Sequence, residues 1–309
     1  MFPRMLALSL LPGLLHSVVH ADLQATKIAE VDGFQIPECV VVDTKNQIGY
    51  VSNVNAAVEG EGYDRFWADD GNGFISKFSV PRAPQGGRRR GKAVDSTSET
   101  LHGEDLVRSD DKFRFSGPKG MCLLGDNLWV TDTDRVLIFS ISGKADPQVV
   151  KVPGAVALND MATDGEFAYV TDSAAGTCYR LHKKKKHQEI AAPKGINGIT
   201  FHNGKMYGVS WGLSDIYELD PSGKKPPRAF GLTEYFKTPD GIEVLADGTF
   251  IVSDSEGNQV VSIAPDEKTV TRIIECAAPA DIGIDRSRGL LFVPRFFEGK
   301  VDIYQLENR

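Results

Sequence analysis

One short apolar segment recurs six times along this chain, and that recurrence restricts the fold more than any other feature. The copies read PECVVVD from Pro37, PKGMCLL from Pro118, LNDMATD from Leu158, INGITFH from Ile196, PDGIEVL from Pro239 and PADIGID from Pro279. Each is followed by a turn and a second strand-like run: IGYVSN, NLWVTD, FAYVTD, KMYGVS, TFIVSD, LLFVPR. A third run follows: FISKFS, VLIFSI, TCYRLH, DIYELD, QVVSIA, VDIYQL. Most copies add a fourth: KFRF, QVVKV, HQEIA, RAF, VTRIIEC. The second residues of the six first runs are Glu38, Lys119, Asn159, Asn197, Asp240 and Ala280, at spacings of 81, 40, 38, 43 and 40. Four strands in about 40 residues is the size of one propeller blade. The long first interval holds a single set of strands, so it is one blade plus insertions.

The expected fold is therefore all-β: a six-bladed β-propeller with four strands per blade. The last copy ends at VDIYQLENR without a fourth strand. Near the N-terminus, ATKIAEVDGFQIPE matches VTRIIECAAPAD in pattern. Residues 25–31 are thus expected to pair with the last blade and close the ring, satisfying edges that an open sheet leaves unpaired. An open β-sandwich gives no reason for one register kept over six units. The reading is one domain over residues 22–309, with insertions at 54–73 and 81–111. Its 31 glycines suit a turn-rich β protein.

Residues 1–21 read as an export signal. Arg4 supplies the positive start, Met5 to Val19 is mostly apolar and too short to span a bilayer, and Val19-His20-Ala21 is a small-residue cleavage site. The chain is expected to be secreted or periplasmic, with no transmembrane segment after signal removal. The four cysteines, Cys39, Cys122, Cys178 and Cys276, fall on strands of different repeats and are expected to be mostly buried thiols. Only Cys39 and Cys122 lie on neighbouring first strands. The net charge of −7 argues against general nucleic-acid binding.

First strands line a propeller's axis, so a shared register gathers the six second residues at one mouth of the channel. Glu38, Asn159, Asn197 and Asp240 then bring two carboxylates and two amide carbonyls together, a hard oxygen set. It suits Ca²⁺, or Mg²⁺ or another divalent cation with more retained water. Each residue taken alone equally suits turn chemistry at a strand start. Histidine adds nothing: His16 and His20 belong to the signal, His102 to an insertion, and His182, His187 and His202 to the far face. No Ser-His-Asp or Cys-His arrangement is visible, nor a phosphate loop or dinucleotide fingerprint.

With these residues in place, the chain resembles the senescence marker protein 30 and gluconolactonase superfamily of six-bladed propellers, with paraoxonase and diisopropylfluorophosphatase relatives and, more distantly, NHL-repeat blades. The resemblance covers most of residues 25–306 as blade pattern. Its specific part is Glu38 in PECVVVD, Asn159 in LNDMATD, Asn197 in INGITFH and Asp240 in PDGIEVL. It implies that these four bind a catalytic divalent cation, usually Ca²⁺, that Asp240 serves as base or nucleophile, and that a sugar-acid lactone is the default substrate. Lys119 departs from the pattern in the same ring. It has three readings: it binds a substrate carboxylate or oxyanion, it replaces the metal by pairing with Glu38 or Asp240, or it points away.

The insertion from Val54 to Gly73 is a candidate lid carrying Tyr63, Arg65, Phe66 and Trp67. Trp211, Asp215, Arg295, Phe296 and Phe297 are expected on the same face. Of these, Lys119, Trp67, Trp211, Arg295 and Phe296 are the candidate substrate-binding residues, with Lys119 and Asp240 the catalytic candidates. Asp132, Asp172 and Asp254 end similar strands and read as turn-forming residues. The opposite face collects Arg88, Arg89, Arg90, Lys92, Lys183 to Lys186, Lys224, Lys225 and Arg228, which fit either solvated loops or contact with a protein or an anionic polymer or lipid surface. Two functions stay open: an exported Ca²⁺-dependent hydrolase of lactones or related esters, and a non-catalytic NHL-like binding platform.

Overall fold

The structure, a computed structural model, describes residues 23–55, 66–67, 70–81, 99–110, 113–143, 146–182 and 187–308. It is a six-bladed β-propeller with almost no helix. Residues 1–21, read above as an export signal, and Tyr63, Arg65, Arg88, Arg89, Arg90, Lys92 and Lys183 to Lys186 lie outside the described residues. Among the described residues, no helix is long and apolar enough to cross a membrane.

Blades two to five run in simple chain order. Blade two comprises Pro118–Leu124, Asn127–Asp132, Arg135–Ser140 and Gln148–Lys151. Blade three comprises Leu158–Thr163, Ala168–Asp172, Thr177–Arg180 and Gln188–Ala191. Blade four comprises Ile196–His202, Lys205–Ser210, Asp215–Leu219 and the two-residue Arg228–Ala229. Blade five comprises Pro239–Val244, Phe250–Asp254, Gln259–Ile263 and Val270–Glu275. In blade six, Gly283–Asp285, Leu290–Arg295 and Lys300–Asn308 are followed outward by Leu23–Asp32, whose Leu23 lies opposite Asn308 and Val31 opposite Val301.

Blade one departs from the sequence expectation. After Pro37–Asp43, Ile48–Asn53 and Phe74–Ser79, its outer strand is Glu104–Arg108, not the KFRF run at 112–115. The reason is aromatic burial. Phe113 and Phe115 stack on each other and on Phe139 of blade two, inside the wedge between the two blades. The polar Glu104–Arg108 segment loses little by taking the solvated outer edge. Glu99–His102 forms a further strand, parallel to Leu23–Asp32. His102 is thus part of a sheet, with Nδ1 2.7 Å from Asp32 Oδ1.

Six apolar wedges, each between adjacent blades, form the core. Strand alternation explains them. In Ala168–Asp172 of blade three, Tyr169 packs toward blade four, while Ala168 and Val170 pack toward blade two. A strand with a blade on each side must be apolar on both faces, which is why the second runs read as near-continuous apolar stretches. All four cysteines are free, buried thiols within these wedges.

The recurring aspartates are fixed by backbone donors. Asp132 accepts from the N–H groups of Ser116 and Gly117, both at 2.8 Å. Asp172 accepts from Val156, Ala157 and Ala175. Asp254 accepts from Lys237, Thr238 and Gly257. In each case the carboxylate at the end of a second strand ties down the loop that leads into the first strand of its own blade.

Candidate functional site at the mouth of the channel

A shared backbone irregularity builds the site. In blades one to five the first strand slips by one residue against the second: Pro37 faces Asn53 while Val40 faces Val51, and the slip repeats at Pro118, Leu158, Ile196 and Pro239. Such a bulge re-aims the residues inside it. Those residues are the second and third of each strand.

The third residues pack the first strands tightly around the axis. A Cβ on Gly198 would lie 2.3 Å from the Asp240 carbonyl oxygen, and one on Gly120 would lie 2.3 Å from Asp160 Cα. Only glycine lets neighbouring blades approach this closely. The second residues of blades one to five, Glu38, Lys119, Asn159, Asn197 and Asp240, then line one cavity of about 470 Å³. The sixth, Ala280, is buried and does not line it.

Hydrogen bonds orient these side chains. Asn159 Nδ2 donates to Ser173 Oγ at 3.1 Å, and Ser173 Oγ donates to the Ile196 carbonyl at 2.6 Å. With the amide nitrogen held by Ser173, Asn159 Oδ1 is left buried without a partner among the described residues. Asn197 Nδ2 donates to Asp240 Oδ1 at 2.9 Å. Among the described residues Glu38 Oε2 likewise is buried without a partner. Two buried, unpartnered oxygens in one polar cavity require an explanation, and a hard cation is one that suits carboxylate and amide oxygens. Glu38, Asn159, Asn197 and Asp240 therefore fit such an ion by donor chemistry.

Lys119 places its amine in the same ring. Its Nζ lies 4.0 Å from Glu38 Oε1, a long ion-pair contact, and 4.3 Å from the Trp67 ring centroid. Burial lowers the lysine pKa, against the attraction of Glu38 and Asp240. Burial pushes Glu38 up to about 8, opposed by Lys119 and reinforced by Asp240. Burial likewise brings Asp240 to about 7, opposed by Lys119 and by the Asn197 hydrogen bond. The ring thus holds two carboxyl groups poised near neutrality beside one amine.

The sequence reading overlooked a second polar layer. Cys39, Asp160 and Asp281 occupy third positions, and their Sγ and carboxyl oxygen atoms lie within 4.8 Å of one another, all buried. Asp160 accepts from the Ile199 and Met161 N–H groups at 2.6 Å each. Burial raises Asp281 well above the carboxylate range, and its side chain is hydrogen-bonded to Asp160. A hydrogen bond between two carboxyl groups requires one proton between them, and burial favours keeping it there. The register PADIGID already placed Asp281 one residue past Ala280; only attention to third positions would have found it.

Around the mouth, Trp67, Trp211 and Phe296 line the cavity, as do Phe66 and Phe297. Trp67 spans the opening from blade one: its Nε1 donates to the Leu158 carbonyl of blade three at 3.4 Å. Arg295 is elsewhere engaged. Its guanidinium bonds Asp302 at 2.9 Å and pairs with Glu298, and it does not line the cavity. Asp215 is a structural group that accepts from the N–H groups of Gly231 and Leu232. On the far face, Arg228 is paired with Glu218 and Glu267, so part of its charge is matched locally.

These features define a six-bladed propeller with a polar, partly unpartnered ring at one channel mouth. No known family profile matches the sequence, and no curated protein matches it. Solved structures do share the fold. A catalytically inactive virginiamycin B lyase from Staphylococcus aureus with quinupristin superposes with a TM-score of 0.60 at 13% identity, over 93% of this chain and 99% of that one. A luciferin-regenerating enzyme gives 0.61 at 16% identity, over 93% and 96%. A candidate gluconolactonase gives 0.62 at 14% identity, over 93% of each chain. At these identities the likeness establishes the propeller fold.

Proposed function

We propose that this protein is an exported hydrolase of lactones or related esters that works with a divalent cation, Ca²⁺ foremost, at the mouth of its channel. The observation that carries the reading is the pair of buried oxygens, Glu38 Oε2 and Asn159 Oδ1, that have no partner among the described residues, in a cavity shared with Asn197 and Asp240. Gluconolactonase-like and luciferin-regenerating propellers of the same fold support a hydrolase-type activity. When bound, the cation would polarise the scissile carbonyl. Glu38, Asn159, Asn197 and Asp240 would hold it, with Ser173 fixing the Asn159 amide.

The chain's own groups supply the remaining chemistry. Asp240, near neutrality in pKa and held by Asn197, is suited to accept a proton from attacking water or to attack directly. Lys119, backed by the Trp67 ring, can stabilise an oxyanion or a substrate carboxylate. Export rests on residues 1–21, and the N-terminal residue of protein recovered outside the cytoplasm tests it.

The Glu38–Lys119 contact favours a second reading. If the ammonium supplies the positive charge that the carboxylates need, the ring requires no ion, and the propeller is a non-catalytic binding platform. Calorimetric Ca²⁺ titration of the metal-stripped protein beside Asp240→Asn separates the two. Tight binding, weakened by roughly tenfold or more in the variant, supports the hydrolase, because losing one ligand charge lowers Ca²⁺ affinity. No binding to the folded protein supports the platform.

A further inference from the structure

We infer that the rim of the cavity binds an organic ammonium group, held between the aromatic side chains of blades four and six and the Glu256 carboxylate of blade five. The inference is independent of the hydrolase reading. It assigns a ligand class to the rim, whatever the ring below it does.

Equivalent loops of three consecutive blades deliver the groups. Trp211 directly follows Lys205–Ser210 in blade four, Ser255 and Glu256 follow Phe250–Asp254 in blade five, and Phe296 and Phe297 follow Leu290–Arg295 in blade six. All five residues line the one cavity. Blade five packs between blades four and six, so its carboxylate has an indole on one side and two phenyl rings on the other. The backbone holds each group in place. The Trp211 N–H donates to the Gly195 carbonyl at 3.0 Å, and the indole Nε1 lies over Gly195, 3.3 Å from where a Cβ would stand. The Glu256 N–H donates to Thr238 Oγ1 at 2.8 Å and the Ser255 N–H to the Thr238 carbonyl at 3.1 Å. The Phe296 N–H donates to the Ala278 carbonyl at 3.1 Å. Its ring meets those of Phe66 and Phe297 at 80° and 89°, with centroids 5.1 and 5.0 Å apart. Rings set nearly at right angles present faces in different directions, as the walls of a corner do.

Two observations point to a cation in that corner. First, an amine already rests on aromatic rings in this cavity. Lys119 Nζ is 4.3 Å from the Trp67 ring centroid and 6.0 Å from that of Phe66, within the range at which a ring face attracts an ammonium. Second, charge is layered. Glu256 is exposed at the rim, whereas the Lys119 amine is buried at the floor and faces Glu38. An arriving group therefore meets the carboxylate first, on a chain of net charge −7. The rings select the kind of cation. A metal ion prefers a full set of oxygens, while an alkylated ammonium lays its apolar methyl groups on ring faces and keeps its charge beside the carboxylate. Trp211 and Phe297 are 43% and 63% exposed, so these faces are open to such a ligand.

Choline and 3,3-dimethylbutan-1-ol share a shape and differ in charge, which makes them the test pair. Both are titrated by calorimetry into the full chain, metal-free and at low ionic strength. Choline is expected to bind more tightly than the alcohol, by roughly two- to fivefold for each exposed ring that it engages. Trp211→Ala and Phe297→Ala, whose exposed side chains are removable without touching the core, each lower choline affinity by roughly the same factor. Glu256→Gln lowers it by about twofold or more and leaves the alcohol unaffected. Equal binding of the two probes overturns the inference, as does a folded protein that binds no choline. Choline affinity that is unchanged in both aromatic variants, or unchanged in Glu256→Gln, overturns it too, because the cation then sits elsewhere.

Discussion

Lys119 Nζ stands 4.0 Å from Glu38 Oε1, with both side chains buried at the channel mouth and the Trp67 ring packed on the amine. A lysine in that place acts as an internal counter-ion. It reduces the repulsion between Glu38 and Asp240, and it would repel a divalent cation held by them.

Replacement by a neutral side chain of similar length therefore has two opposed effects. In Lys119→Met, the metal-free protein loses about 3 kcal/mol of stability, as expected when one partner of a buried ion pair is removed. Ca²⁺ affinity rises by roughly 10- to 100-fold, since a like charge a few ångströms away is gone. Thermal unfolding with and without Ca²⁺, together with calorimetry, reads both. Unchanged Ca²⁺ affinity would show that the ion, if bound, sits away from the ring.

A distinct pH dependence follows from the buried carboxyl groups. Burial raises Glu38 to about 8, Asp240 and Asp160 to about 7 and Asp132 to about 6. Above the unfolded values near 4, the native state holds protons that the unfolded chain has released, so stability falls as pH rises through about 6 to 8. Lys119, shifted downward, acts with the opposite sign and returns stability as pH climbs from its lowered folded value toward about 10.5. Metal-free protein is expected to show a lower denaturant midpoint at pH about 8 than at about 5.5, with Ca²⁺ restoring more at the higher pH because ligand carboxyls must ionise to bind it. A midpoint that rises across this window contradicts the assignment.

The capping aspartates give a prediction independent of any ligand. Asp172 accepts from three backbone N–H groups and is fully buried. Asp172→Ala strands those donors and is expected to cost roughly 3 kcal/mol, seen as a lower urea midpoint with an unchanged slope. A loss below about 1 kcal/mol, the net worth of a single ordinary hydrogen bond, would mean that water reaches these donors.

Much of the architecture was legible because a propeller repeats its chemistry. Each first strand begins where the axis is, so the residue after the leading Pro, Leu or Ile names a ring position, and copies read in register gave Glu38, Lys119, Asn159, Asn197 and Asp240 directly, while the sixth, Ala280, stays off the cavity. The turn-forming role of Asp132, Asp172 and Asp254 was legible for the same reason. Blade one was not, because its insertions offer two outer-strand candidates. KFRF has the better strand pattern, yet Phe113 and Phe115 are worth more inside the wedge against Phe139 than on a solvated edge.

By itself, then, the sequence determined the number of blades, the register and the identity of the ring residues, since all three follow from local periodicity. The tertiary structure alone decided what depends on which side chains meet across blades. It placed Lys119 against Glu38 and Trp67, removed Arg295 from the cavity by pairing it with Asp302, and joined Asp160 to Asp281 beneath the ring. Those outcomes turn on burial and on distances between residues far apart in the chain, and periodicity carries no information about either.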